Sequence, residues 1–149
     1  MEKLRIVGGN KLSGSISCSG AKNAALPMLA ATILTDEQIT FKNLPYLQDI
    51  TTMFEILGSM GAEITLNEGM DFIISTSKLH DFEARYELVK TMRASILVLG
   101  SMIAKYGYAK IALPGGCAIG SRPVNYHLKA LEKLGVNICL LYTSPSPRD

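Results

Sequence analysis

The sequence predicts a fold of the α/β class, and three observations lead to it. Segments with apolar residues at helical spacing alternate with short segments in which apolar and polar residues follow one another with period two. Loops that contain glycine, asparagine or proline separate the two kinds of segment. The order helix, strand, helix, strand then occurs twice, about 70 residues apart. Such a period indicates a duplicated α/β unit, although any two α/β units share this order of elements.

The first unit is expected to follow two weakly alternating strands. A helix rich in Ala and Leu comes after Ser19-Gly20, and Pro27 is tolerated if that helix begins near Asn23. Asp49 is the expected N-cap of the next helix, and Gly61 ends it. The predicted elements are strands over 4–8 and 15–18, a helix over 22–34, a strand over 38–42, a helix over 50–60, and a hairpin of 63–67 and 71–75.

The second unit is expected to begin after a polar loop over 76–84. Its predicted elements are a helix from about Arg85 to Lys105, a strand over 109–113, a helix from Pro123 to Leu134, and a strand that begins at Val136. The Ser-Pro alternation over 141–149 ends this pattern. We interpret residues 139–149 as a non-native tail, and a native flexible tail is the alternative.

The composition excludes several classes of protein. A chain of 149 residues with net charge +2 and 48% hydrophobic residues is typical of one globular domain and not of disorder. No basic run contains interleaved aromatic residues, so nucleic acid is not an expected partner. The longest apolar run, over 96–104, is far shorter than the roughly 20 residues of a membrane span. No signal peptide is evident, and Cys18, Cys117 and Cys139 form no CxxC pair, so a cytoplasmic location is expected.

The loop over 114–123 carries the strongest chemical signal. Gly115 and Gly116 allow a ligand to approach the backbone closely, and the helix that follows presents N–H groups that favour anions. Arg122 adds a planar, permanently charged group suited to phosphate or carboxylate. Cys117 lies among these groups, where positive charge favours a reactive thiolate. The alternative for a lone cysteine is a small buried apolar residue.

Two other interpretations of this loop fail. The spacing from Gly115 to Gly120 matches a phosphate-binding P-loop, but that motif needs a lysine where this chain has Ser121-Arg122. A Cys/His pair with His127 lacks anything that fixes the imidazole. His80 and His127 also lack the clustered partners of a metal site, so we expect neither a metal nor a cofactor.

Two further clusters carry cationic groups. Lys22 and Asn23 lie at a predicted helix start, where an ammonium can bind phosphate or carboxylate and an amide can bind a hydroxyl or carbonyl. Lys90 and Arg93 share one helix face at spacing i, i+3. The alternatives are a solvated lysine and an arginine that extends from an apolar face to water. Together with the loop, these residues predict a site for an anionic substrate with a proton donor.

Three segments resemble the UDP-N-acetylglucosamine 1-carboxyvinyltransferase family. They are SGAKNAALP at 19–27, LVKTMRAS at 88–95 and LPGGCAIGSRPV at 113–124, and the resemblance runs from about Met1 to Ile138. It implies transfer of the enolpyruvyl group of phosphoenolpyruvate to the 3′-hydroxyl of UDP-N-acetylglucosamine, with release of phosphate. This reaction is the first committed step toward peptidoglycan.

The resemblance also implies roles for individual residues. Cys117 is the implied catalytic thiol, which protonates the methylene carbon of phosphoenolpyruvate, forms an adduct with it and is alkylated by fosfomycin. Lys22 is implied to hold phosphoenolpyruvate, with Asn23 beside it toward the sugar, and Arg93 is implied to contact the UDP-sugar. Arg122 is implied to face the phosphate of phosphoenolpyruvate. The implied uridine-nucleotide contacts are Arg122, Pro123, Val124, Asn125 and Tyr126, although the family commonly has Asp and Leu in place of the last two.

The family fold is an inside-out α/β barrel of the enolpyruvyl transferase type, with two domains of three α/β units each. By this resemblance the chain holds about two of six units. Residues 1–21 are implied to be strands of the otherwise missing second domain, and 22–138 to be part of the first. The catalytic base is then absent, so we expect the chain alone to be inactive. The alternatives are a shikimate-pathway enolpyruvyl transferase, a non-catalytic UDP-sugar-binding relative, and a small standalone binding domain.

Overall fold

The computed structural model describes residues 3–84, 86–89, 92–112 and 124–139, without the side chain of Arg93. The α-helices are α1 (Lys22–Ala31), α2 (Gln48–Ser59), α3 (Tyr86–Val89), α4 (Leu97–Tyr106) and α5 (Asn125–Lys133), and 3-10 helices cover Thr32–Leu34 and Arg93–Ile96. The strands are β1 (Ile39–Phe41), β2 (Glu63–Leu66), β3 (Phe72–Ser75), β4 (Glu83–Ala84) and β5 (Lys110–Ile111). The alternation of helices and strands confirms the predicted α/β class.

The strands form two small sheets. In the first sheet β3 lies between β1 and β2 and pairs with both in antiparallel register, with Ile74 opposite Ile39 and Ile64. The β2–β3 hairpin turns through 67–71 as predicted, and the Asn67 side chain accepts a hydrogen bond from the Asp71 amide at 2.8 Å. In the second sheet β4 and β5 are parallel, with Glu83 opposite Lys110.

The core is formed mainly by helices. One face of α1 buries Ala25, Leu26, Leu29 and Ala30, at a spacing that places them on adjacent turns. This face packs against α2 and α4, whose buried residues include Met53 and Met102. The three-stranded sheet contributes Ile74, which is fully buried and belongs to the same core cluster as the helix residues.

The long helix predicted over 85–105 is wrong. A four-residue helix, α3, is followed by extended backbone at Met92 (φ −138°, ψ 114°), a 3-10 turn and then α4. Val89 and Met92 are both buried, so apolar spacing continues although the helix does not. The hydroxyl of Ser95 donates to the carbonyl of Met92 at 2.6 Å, and such a bond competes with helical pairing.

The predicted strands at both ends of the described chain are also not found. Residues 3–20 contain no helix or strand, and 3–19 are exposed, including Leu12 and Ile16. Residues 136–139 are likewise not in a strand. A strand needs a neighbour for its backbone N–H and C=O groups, and no described strand pairs with either segment. Residues 140–149 lie outside the described residues.

The part of the chain that the structure describes has no helix that is both long enough and apolar enough to cross a membrane.

Candidate functional site

The segment before α1 is docked onto the loop before α2. The amide of Gly20 donates to the carbonyl of Asn43 at 3.1 Å, and the Asn43 side-chain amide donates to the carbonyl of Cys18 at 3.2 Å. A Cβ on Gly20 would overlap the Asn43 carbonyl oxygen and lie 3.4 Å from the ring of Pro45. Asn43 has φ of 56°, a conformation that asparagine adopts more readily than most residues. The close approach of two backbones therefore fixes where α1 begins.

The start of α1 presents Lys22 and Asn23 to solvent. The carbonyl of Ala21 accepts hydrogen bonds from Ala24 and Ala25, and no side chain caps this end of the helix. Pro27 lies inside α1 and has no N–H to donate to the carbonyl of Asn23. The first turn thus offers an exposed ammonium, an exposed amide and helix N–H groups, which together favour an anion.

Lys22 forms an ion pair with Asp49. Its Nζ lies 2.7 Å from Oδ2 of Asp49, and the two side chains are 45% and 35% exposed. The predicted N-cap role of Asp49 is wrong, because Leu47 is the N-cap and Asp49 lies in the first turn of α2. The ion pair between the starts of two helices could not be read from the sequence, in which these residues are far apart.

The segment that contains Cys117, the predicted catalytic thiol, follows the second sheet in the chain. Before it, Lys110 Nζ lies 3.0 Å from Glu83 Oε1, and the amide of Ala112 donates to the carbonyl of Ala84 at 3.5 Å. The Glu83 carboxylate raises the pKa of Lys110, chiefly by accepting its hydrogen bond. Cys117, Arg122 and Pro123 lie outside the described residues, so the predicted roles of their side chains stay predictions.

The chain is described again at the start of α5. Val124 is 8% exposed, and its carbonyl accepts hydrogen bonds from His127 at 3.0 Å and Leu128 at 3.2 Å. Asn125 and Tyr126 are exposed in the first turn. Val124 is therefore buried and hydrogen-bonded to the first turn of α5, and the next two predicted nucleotide contacts are exposed.

The remaining predicted site residue, Arg93, begins the 3-10 helix before α4. Its side chain lies outside the described part of the chain, as does Lys90. Within the described residues, Lys22 and Asn23 lie together, and so do Val124, Asn125 and Tyr126. No hydrogen bond or ion pair is recorded between these two groups in the described ranges.

A cavity of about 640 Å³ lies beside the second sheet. Leu99 and Ile103 of α4, Leu128 of α5 and residues 136–139 form its mostly apolar wall, and Ala112 reaches it from the end of β5. The cavity thus lies between apolar side chains of α4 and α5. In the described residues, no three His, Cys, Asp or Glu side chains come together as metal ligands.

The comparisons with known proteins agree on one family. A family model described as EPSP synthase (3-phosphoshikimate 1-carboxyvinyltransferase) matches residues 6–145. The chain is similar to the UDP-N-acetylglucosamine 1-carboxyvinyltransferase of Halorhodospira halophila (strain DSM 244 / SL1), with 58% identity over 93% of this chain and 33% of the relative. The protein of that name from Coxiella burnetii (strain Dugway 5J108-111) is 55% identical over 95% of this chain and 32% of the relative. The chain spans about a third of the length of these relatives.

A solved structure supports the fold. The crystal structure of the enolpyruvyl transferase NikO from Streptomyces tendae matches with a TM-score of 0.72, over 91% of this chain and 29% of that chain, at 23% sequence identity. This likeness confirms the predicted α/β fold of the enolpyruvyl transferase type. The described strands form two small sheets and no closed barrel.

Proposed function

This chain belongs to the EPSP synthase family of carboxyvinyltransferases, and we propose that it is part of a UDP-N-acetylglucosamine 1-carboxyvinyltransferase. The reaction transfers the enolpyruvyl group of phosphoenolpyruvate to the 3′-hydroxyl of UDP-N-acetylglucosamine, releases phosphate and leads toward peptidoglycan. The observation that carries the proposal is 55% to 58% identity, over 93% to 95% of this chain, to curated proteins of that name. It favours this substrate over that of the shikimate-pathway enzyme.

Phosphoenolpyruvate carries a phosphate and a carboxylate, and the start of α1 suits such an anion. Lys22 supplies a charged donor, Asn23 supplies an amide, and the uncapped first turn supplies backbone N–H groups. In this proposal Lys22 binds phosphoenolpyruvate, and Asn23 lies beside it on the side of the sugar substrate. The exposure of both side chains supports these roles.

Arg93 and residues 122–126 are the proposed contacts of the UDP-sugar. Arg122 faces the phosphate of phosphoenolpyruvate at the same time, since a guanidinium has several donors. The exposed first turn of α5, with Asn125 and Tyr126, supports a role in nucleotide contact. Buried Val124 supports it indirectly, because it fixes the backbone from which these two side chains project.

Cys117 is the proposed general acid. Its thiol protonates the methylene carbon of phosphoenolpyruvate, and the neighbouring carbon then accepts the oxygen of the sugar hydroxyl, whose proton passes to the proposed catalytic base. Loss of phosphate and of one proton from the new methyl group restores the double bond. In the adduct the thiolate adds in place of the hydroxyl. Positive charge from Lys22 and Arg122 balances the phosphate and carboxylate of phosphoenolpyruvate, and preorganised charge of this kind lowers the barrier to transfer. On either side of the segment that contains Cys117, the amide of Ala112 donates to the carbonyl of Ala84 and Val124 is buried.

The domain assignment follows from the same proposal. Residues 22–138 belong to the first domain, and residues 1–21 pair with strands of a second domain that the remaining two thirds of the relatives contain. Exposed apolar side chains support the proposal that a partner absent from this chain covers that segment. They are Leu4, Ile6, Leu12 and Ile16.

The proposal can be tested with a chimera in which residues 1–138 replace the matching residues of the Halorhodospira halophila relative. We expect the chimera to release phosphate from phosphoenolpyruvate when UDP-N-acetylglucosamine is present and not when 3-phosphoshikimate replaces it. Cys117→Ala should lower turnover by at least about 100-fold, the usual size of a general-acid effect. Cys18→Ala is the matched control, since the exposed Cys18 has no proposed role.

Either of two results contradicts the proposal. One is a folded chimera that releases no phosphate with UDP-N-acetylglucosamine, and the other is a Cys117→Ala chimera with full turnover. The 149-residue chain without the added segment should show no turnover, because the proposed catalytic base lies in the added part.

A further inference from the structure

Lys22 is held by a residue outside its own helix. Its Nζ lies 2.7 Å from Oδ2 of Asp49, in the first turn of α2. An ammonium has three N–H donors, so the ion pair with Asp49 leaves donors for an incoming anion. Both side chains are partly exposed, which gives a ligand access to the pair.

The backbone around this pair is fixed independently. The hydrogen bond from Gly20 to Asn43 joins the start of α1 to the loop that leads into α2. Asp49 lies in the first turn of α2, two residues after the N-cap at Leu47. Two connections, one between backbones and one between side chains, therefore hold the starts of α1 and α2 together.

We propose that Asp49 is a positioning residue that holds the Lys22 ammonium in the place where it binds phosphoenolpyruvate. This inference rests on the proposed function and assigns a role within the same site. A free lysine side chain samples many rotamers, and ordering it opposes binding. Asp49 orders it beforehand, and the N-terminus of α2 stabilises the Asp49 carboxylate in turn.

The decisive variants are made in the chimera. Asp49→Asn keeps the size of the side chain and removes its charge, and we expect the KM for phosphoenolpyruvate to rise about tenfold, the scale of one weakened charge-assisted hydrogen bond. The kcat should stay within about twofold, since the interaction serves binding before and during the reaction alike. Asp49→Glu keeps the charge, so its KM for phosphoenolpyruvate should be close to that of the chimera with the native residue.

Asp36→Asn is the matched control. Asp36 forms the other lysine–aspartate pair among the described residues, with Lys105, and has no proposed contact with substrate. This variant should leave the KM unchanged. An unchanged KM in Asp49→Asn would overturn the inference, and so would a loss confined to thermal stability or kcat. If the chimera with native residues is inactive, the proposed function itself has failed.

A measurement on the 149-residue chain tests the pair without any turnover. In a sample with isotope-labelled lysine, the Lys22 side-chain ¹⁵Nζ resonance should shift in Asp49→Asn and stay in place in Asp36→Asn. The Lys105 resonance should do the opposite. A Lys22 resonance that Asp49→Asn does not move contradicts the inference even if every chimera is active.

Discussion

The amide nitrogen of Gly20 lies 3.1 Å from the carbonyl oxygen of Asn43, and the two backbones are so close that a side chain on Gly20 has no room. The atom that a Cβ would meet is a backbone oxygen, which cannot rotate away as a flexible side chain can. Any larger residue at position 20 must therefore separate α1 from the loop before α2.

Gly20→Ala is accordingly expected to destabilise the protein by about 1–3 kcal/mol, the usual cost of overpacking. The free energy of unfolding in urea measures the effect. Gly58→Ala is the matched control, because Gly58 lies inside α2 with no atom near its added Cβ. That substitution should be neutral or stabilising by up to about 1 kcal/mol. Equal stability of the two variants would contradict the close packing at Gly20.

Thr76 joins the end of the first sheet to the turn after α1. Its buried hydroxyl donates to the carbonyl of Thr32 at 2.8 Å, with the carbonyl of Thr35 at 3.1 Å. Thr76→Val keeps the shape and leaves both carbonyls without this donor, so we expect a loss of about 1–3 kcal/mol in unfolding free energy. Thr76→Ser keeps the hydroxyl and should lose less. A valine variant as stable as the native protein would show that water replaces the hydroxyl.

The ion pair of Lys105 and Asp36 should make stability depend on pH in the alkaline range. Nζ of Lys105 donates to Oδ1 of Asp36 at 2.5 Å, and this hydrogen bond is the main reason why the pKa of Lys105 is raised above 10.5. Because the folded pKa is the higher one, the stabilisation is complete below pH 10.5 and is lost as pH rises through the folded pKa.

A double-mutant cycle with Asp36→Asn and Lys105→Met measures this contribution. Since Asp36 is largely exposed, we expect a coupling energy of about 0.2–1 kcal/mol at pH 8 and a smaller one at pH 11.5. High salt should reduce it at pH 8. A coupling energy that is the same at both pH values would contradict the raised pKa.

Leu29 is fully buried where α1 meets the other core helices. Leu29→Ala should lower the free energy of unfolding by about 2–5 kcal/mol, because the cavity cannot collapse completely. Leu34 in the following 3-10 helix is 53% exposed, and Leu34→Ala should cost less than about 1 kcal/mol. Similar losses at both positions would contradict the assigned core.

The sequence was sufficient for elements whose signal is local. The helix at Lys22, the β2–β3 hairpin and the helix over 50–60 lie close to their predicted bounds, because apolar spacing and turn residues determine them. Met92 shows where this fails, since its apolar side chain fits the helical pattern while its backbone is extended. Burial alone does not distinguish a continuous helix from a broken one.

The candidate site also contains some features that the local sequence predicts and others that it does not. The sequence predicts Lys22 and Asn23 as site residues because they lie beside a glycine at a helix start, and both are exposed in the structure. The sequence predicts only an N-cap role for Asp49, since it contains no sign that α1 and α2 begin side by side. The strands predicted over 4–8 and 15–18 are not formed in the described chain, because local alternation cannot supply a neighbouring strand.

The packing of α1 against α4 also has a consequence during synthesis. Lys105 follows its partner Asp36 by 69 residues, and Met102 is part of the cluster that buries Leu29 and Ile33. At a translation rate of about 5–20 residues per second, roughly 4–15 s pass between the synthesis of α1 and that of α4. For that interval the apolar face of α1 has no α4 to cover it on the ribosome. The nascent chain is therefore most vulnerable to wrong association before the residues of α4 have emerged from the exit tunnel.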